Sequence, residues 1–126
     1  MIRCALLAAL LLVGAGPALA QLQRNFPPTA LRGELLIVQP PEARLNGKPA
    51  RLAPGVRIRG ENNLLVMSAA LVEREVLVHY TLDDLGLVKD VWLLTEAERA
   101  KRPWPTRIED SKAWRFDPVG QTWSRP

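Results

Sequence analysis

The pair Asn46-Gly47 constrains the fold of this chain more tightly than anything else in it. Both central positions of a type I′ turn need positive φ, which Asn tolerates and Gly enters freely. A two-residue turn there sets Leu45 opposite Lys48, Arg44 opposite Pro49, Ala43 opposite Ala50 and Glu42 opposite Arg51, and opposed residues share a face. One face then carries Ala43, Leu45, Ala50 and Leu52, with Lys48 at the tip, and the other carries Glu42, Arg44, Pro49 and Arg51. Apolar and polar sets separate, as a half-buried β-hairpin requires. Pro49 has no N–H to give a ladder, so its strand is expected to lie at an edge there.

The flanking segments read as more short strands. Leu31 to Gln39 is a strand stopped by Pro40-Pro41. Ala53-Pro54-Gly55 has Pro and Gly in the order of a type II turn, and Val56 to Gly60 alternates after it. Glu61-Asn62-Asn63 is a turn, Leu64 to Met67 an apolar strand, and Ser68 to Arg74 is compatible with a helical turn. A second hairpin joins Glu75–Leu82 to Leu87–Leu94 through Asp83-Asp84-Leu85-Gly86. With Asp84, Leu85 and left-handed Gly86 as its loop, Leu82 opposes Val88, Tyr80 opposes Asp90, Val78 opposes Trp92 and Val76 opposes Leu94. The reverse face pairs Thr81 with Lys89, His79 with Val91 and Leu77 with Leu93. Its far end is apolar, so it needs a cover.

Thr95-Glu96-Ala97-Glu98 matches a capping box and predicts a short helix to about Lys101, ended by Pro103-Trp104-Pro105. Trp114-Arg115-Phe116 and Gln121-Thr122-Trp123 flank the turn Asp117–Gly120 as a closing hairpin. The fold class is therefore mainly β: a small antiparallel β-barrel, OB-like or SH3-like, with one short helix and a Trp-containing C-terminal tail. Four segments follow: a signal peptide over 1–20, a leader over 21–30, the barrel over 31–94, and the helix and tail packing on it over 95–126.

The signal peptide rests on Arg3, the apolar run Ala5–Val13, the breakers Gly14–Pro17 and the small residues Ala18 and Ala20, which predict cleavage between Ala20 and Gln21. The run is too short to span a bilayer. Cys4, the one cysteine, precedes it, so the exported chain has no lipidation site, disulfide or thiolate. We expect a periplasmic protein without a transmembrane segment after cleavage.

The formal net charge is +4, to which Arg3 contributes one. Basic and acidic stretches alternate, so the charge can neutralise itself within the fold, and nucleic acid is not an expected partner. Arg44, Arg51, Arg57 and Arg59 cluster on outward strand positions as the candidate ligand-binding face, with a solvated charged surface as the plainer reading. Val56 and Ile58 face inward between them, so the aromatic platform of a single-strand binder is missing. His79, the one histidine, stands without a second His, and a catalytic zinc needs three protein ligands. It reads as an ordinary surface or half-buried residue. Asp83, Asp84 and Asp90 lack EF-hand spacing and read as turn chemistry. Tyr80 with Asp90 reads as a hydrogen-bonded structural pair, and Trp92, Trp104, Trp114 and Trp123 as core filler. No catalytic residue, metal ligand or cofactor is expected.

Arg32-Gly33-Glu34, Gln39-Pro40-Pro41, Leu45-Asn46-Gly47-Lys48, Leu52-Ala53-Pro54-Gly55 and Gly86-Leu87-Val88-Lys89-Asp90-Val91-Trp92 resemble a group of small uncharacterised exported proteins from proteobacteria, from about Leu31 to Thr95. The strand order also resembles, more weakly, an exported OB-like domain of unknown function. The resemblance implies a periplasmic address and brings no activity with it. Three functions stand: a non-enzymatic envelope module that binds another protein or serves as a structural accessory, a binder of anionic polymer or lipid headgroups through the arginine face, and, last, an enzyme of unknown type.

Overall fold

The first reversal of the chain follows from Pro40-Pro41, whose missing N–H groups end strand β1 (Leu31–Gln39). Strand β2 (Glu42–Leu45) then turns at Asn46-Gly47 into β3 (Lys48–Arg59). Asn46 and Gly47 have φ of 53° and 79°. All four predicted pairs of this hairpin are present, Glu42 with Arg51 through Leu45 with Lys48. The structure, a computed structural model, describes residues 23–126. The proposed signal peptide and its cleavage point at Ala20 and Gln21 lie outside the described residues.

Strands β4 (Val76–Leu82) and β5 (Val88–Leu93) complete a closed barrel in the order β1-β2-β3-β5-β4. Leu35, Ile37, Ile58, Val78, Val88 and Val91 fill its interior, each at most 2% exposed. The barrel is not wholly antiparallel, since β3 and β5 run the same way. β5 joins β3 only from Leu52 onward, which leaves Pro49 on an open edge, where a residue without an N–H costs nothing.

Three local expectations change. Ala53-Pro54-Gly55 is not a turn between strands but part of one continuous β3. The described glycines with positive φ are Gly47 and Gly86, so Gly55 lacks the geometry a type II turn demands. The pairing with β5 instead skips between Leu52 and Arg57, and the strand bends there around the barrel. Leu64–Met67 is not a strand either. Gly60 N–H donates to Leu64 C=O and Asn63 has φ 67°, so the chain reverses tightly, leaving one bridge between Arg59 and Leu65 before a 3₁₀ turn at Ser68–Leu71.

The second hairpin keeps its loop, with Gly86 at φ 81°, and its first pair, Leu82 with Val88. A bulge then shifts it by one residue, so that Thr81 meets Asp90, Tyr80 meets Val91, His79 meets Trp92 and Val78 meets Leu93. Val88 and Val91 both point inward, which an unbroken strand with a period of two cannot do. The shift replaces the predicted Tyr80–Asp90 pair by a Thr81 hydroxyl donating to Asp90 at 3.1 Å.

A second apolar cluster lies outside the barrel and covers the reverse face of β4 and β5. It contains Phe26, Ala30, Leu94, Trp104 and Trp123, with Trp92, Trp114 and Phe116 packed on them. The described part of the leader, from Gln23, is therefore built into the molecule. Helix α1 (Glu96–Arg99) follows the capping box, and β6 (Arg115–Asp117) pairs with β7 (Thr122–Ser124) as the closing hairpin. Between them lies helix α2 (Ile108–Ala113), which carries no buried residue and so has no apolar stripe to announce it.

Candidate functional site

Three charged side chains, Arg24, Glu98 and Arg32, are buried where the second cluster meets the barrel. The capping box folds Glu98 back so that Thr95 N–H donates to its Oε1 at 2.9 Å, and this aims the carboxylate at Arg24. Arg24 Nε donates to Glu98 Oε2 at 2.9 Å, a second bond joins Nη2 to Oε1, and Nη1 donates to Gly60 C=O at 2.8 Å. The Arg24 side chain is 4% exposed. Burial pushes the Glu98 carboxyl up, but hydrogen bonds from Arg24 and Thr95 and the Arg24 charge outweigh it and hold the pKa below its usual range.

Arg32 stands opposite His79 across the β1–β4 ladder. Its Nε donates to His79 Nε2 at 3.1 Å, Nη1 to the carbonyls of Arg99 and Lys101, and Nη2 to the carbonyl of Glu98 at 2.8 Å. The guanidinium thus closes the C-terminal end of α1, where carbonyls lack helical partners. Burial, then repulsion from Arg102, lowers its pKa to about 10, against attraction from Glu98.

His79 is fully buried, neither at the surface nor half-buried as expected. Its ring stacks on Trp104 at 4.0 Å and meets the edge of Phe26 at 4.4 Å. Because Nε2 accepts from Arg32, the ring proton sits on Nδ1, which has no acceptor among the described residues. Burial, then the Arg32 and Arg24 charges, drive the pKa down to about 2. The imidazole is neutral at every ordinary pH.

Trp104 is shared by two recesses. One, of about 420 Å³, is lined by Arg24, Phe26, His79, Thr95, Glu98 and Gln121 among others. The second, of about 580 Å³, is lined by Arg32, Leu77, Arg99, Arg102, Pro103, Trp104 and Arg125. Among the described residues no group of three His, Cys, Asp or Glu side chains is gathered that could hold a metal ion. Asp83 is committed to its turn, accepting from Leu85 and Leu87 N–H at 2.9 Å each.

The four arginines singled out from the sequence do not form one bare cationic face. Arg51 lies 3.6 Å from Glu42, and Arg59 lies 3.7 Å from Asp90 with its guanidinium over Trp92. Arg57 stands opposite Asp90 in the parallel ladder. Arg44 and Arg57 are exposed and make no ion pair among the described residues. Sequence reasoning passed over Arg24, Arg32, Arg99, Arg102 and Arg125. A signal for Arg32 existed: it sits on the outer face of β1, beside the apolar reverse face that needed a cover.

No family model, curated protein or solved structure matches the chain.

Proposed function

We propose that this protein is an exported, non-enzymatic envelope module that binds another protein through Leu64, Leu65 and Met67. The observation that carries the reading is the exposure of these side chains, 65%, 72% and 78%, on one short segment between β3 and the 3₁₀ turn. Exposed apolar groups clustered beside a polar rim mark docking surfaces. The segment is held rather than loose, since Val66 N–H donates to Ile58 C=O and Gly60 N–H to Leu64 C=O, both at 2.8 Å. Export rests on the Met1–Ala20 pattern, and no described helix is long and apolar enough to cross a membrane. The non-enzymatic reading is supported by His79, which neither titrates near neutrality nor has Nε2 free to take a proton. The anionic-surface alternative through Arg44, Arg51, Arg57 and Arg59 is weakened by the carboxylates at Glu42 and Asp90.

Capture from the native envelope tests this with two variants. Replacing Leu64, Leu65 and Met67 by Ser is expected to abolish capture of the partner, while Arg57→Glu with Arg59→Glu leaves it intact. The reverse pattern moves the function to the arginine face.

A further inference from the structure

We propose that the recess lined by Arg32, Arg99, Arg102 and Arg125 binds the phosphate group of a phosphomonoester. This site stands apart from the Leu64–Met67 segment and from the arginine face on β2 and β3. Four arginines line one recess, and among the described residues no acidic one lines it. Arg99, Arg102 and Arg125 form no ion pair among the described residues. The nearest carboxylate in sequence, Glu98, is already held by Arg24 and Thr95. Arg32 feels the attraction of Glu98 and the repulsion of Arg102, so an anion bound in the recess would relieve that repulsion.

One of the four is fixed in advance, and a second, exposed like the remaining two, rests against an aromatic ring. Arg32 is fixed by hydrogen bonds to His79 and three carbonyls, which leaves one Nη2 N–H without an acceptor among the described residues. Arg125 lies with its Cζ 5.2 Å from the centre of the Trp114 ring. Groups held in place before binding lose little freedom on binding. Arg99 and Arg102 are exposed and can close over a ligand.

The chemistry favours phosphate over carboxylate. A phosphomonoester carries close to two negative charges and three acceptor oxygens, and arginine forks engage such oxygens in pairs. Leu77, Pro103 and Trp104 supply an apolar wall for the ester's organic part. Inorganic phosphate lacks that part.

Calorimetric titration of the purified protein at fixed ionic strength tests the site with phenyl phosphate, inorganic phosphate and acetate. One-site saturation is expected, with phenyl phosphate tightest and acetate not saturating. Arg99→Gln with Arg102→Gln is expected to weaken phenyl phosphate by about tenfold or more, while Arg57→Gln with Arg59→Gln leaves it unchanged. Circular dichroism checks the fold, and Arg125→Gln substitutes if the first pair fails to fold. Vesicles of phosphatidylcholine with and without phosphatidic acid distinguish the source: binding that needs the acidic lipid and Arg99 with Arg102 assigns the phosphate to a headgroup, and binding of phenyl phosphate alone assigns it to a soluble ester. No saturation up to about 10 mM phosphate ester, acetate equal to phosphate, or affinity untouched by the recess substitutions overturns the proposal.

Discussion

His79 shows what a buried residue owes to partners far away in sequence. Its neighbours Arg32, Phe26 and Trp104 come from β1, the leader and the segment after α1, so no window around position 79 reveals them. Sequence reasoning therefore reads it as surface or half-buried, and misses the burial that, with the Arg32 and Arg24 charges, keeps it neutral. The consequence is a pH dependence with a definite sign. The unfolded chain protonates this imidazole below about 6.5 while the folded chain does so only near 2, so the unfolded state binds the extra proton throughout that window. Its contribution to stability is complete above about pH 6.5 and falls with acidification by up to about 1.4 kcal/mol per pH unit. Between about pH 6.5 and 5 the carboxylates have barely begun to titrate. Urea midpoints over that interval are expected to fall in the wild type and to stay nearly level in His79→Gln, whose amide oxygen can still accept from Arg32. Parallel slopes in the two proteins show that His79 is not the group responsible.

At the scale of elements, legibility depended on whether a signal was local. The Asn46-Gly47 hairpin was legible pair by pair, because two residues define its turn and the face separation checks the register. Thr95 with Glu98 was legible for the same reason, since both halves of a capping box lie within four residues. The bulge after Val88 was not, although Val88 and Val91 at a spacing of three carry its trace. The bend at Pro54-Gly55 imitated a turn because both residues fit either use, and only the pairing of β3 across the barrel decides between them. The arginine recess was out of reach because α1, β1 and the tail assemble it. Gly47→Val tests the hairpin. At φ 79° a β-branched side chain is strained even though nothing lies within 4 Å of the added Cβ, so the loss comes from the backbone alone. Thermal melting should report at least about 1 kcal/mol of destabilisation, and an unchanged midpoint contradicts the turn.

For the whole molecule, the second cluster makes the tail part of the fold. Trp123 and Trp104 are 4% and 5% exposed, and their centroids lie 6.0 Å apart. Truncating the chain after Ala113 removes Trp114, Phe116 and Trp123 from the cluster and should cost at least about 3 kcal/mol, the scale of losing one buried tryptophan. Melting and iodide quenching check this: a lower midpoint and a more accessible Trp104 are expected, whereas an unchanged midpoint makes the tail an appendage. The barrel itself is two local pieces, the β1–β3 meander and the β4–β5 hairpin, joined by β1 against β4 and by the parallel seam of β3 with β5. Each piece can form within its own stretch of chain, but the two seams need partners distant in sequence, and their loop-closure entropy is lost before any contact is gained. Docking of the two pieces, through β1 with β4 as much as through the parallel seam, is therefore the step expected to time folding.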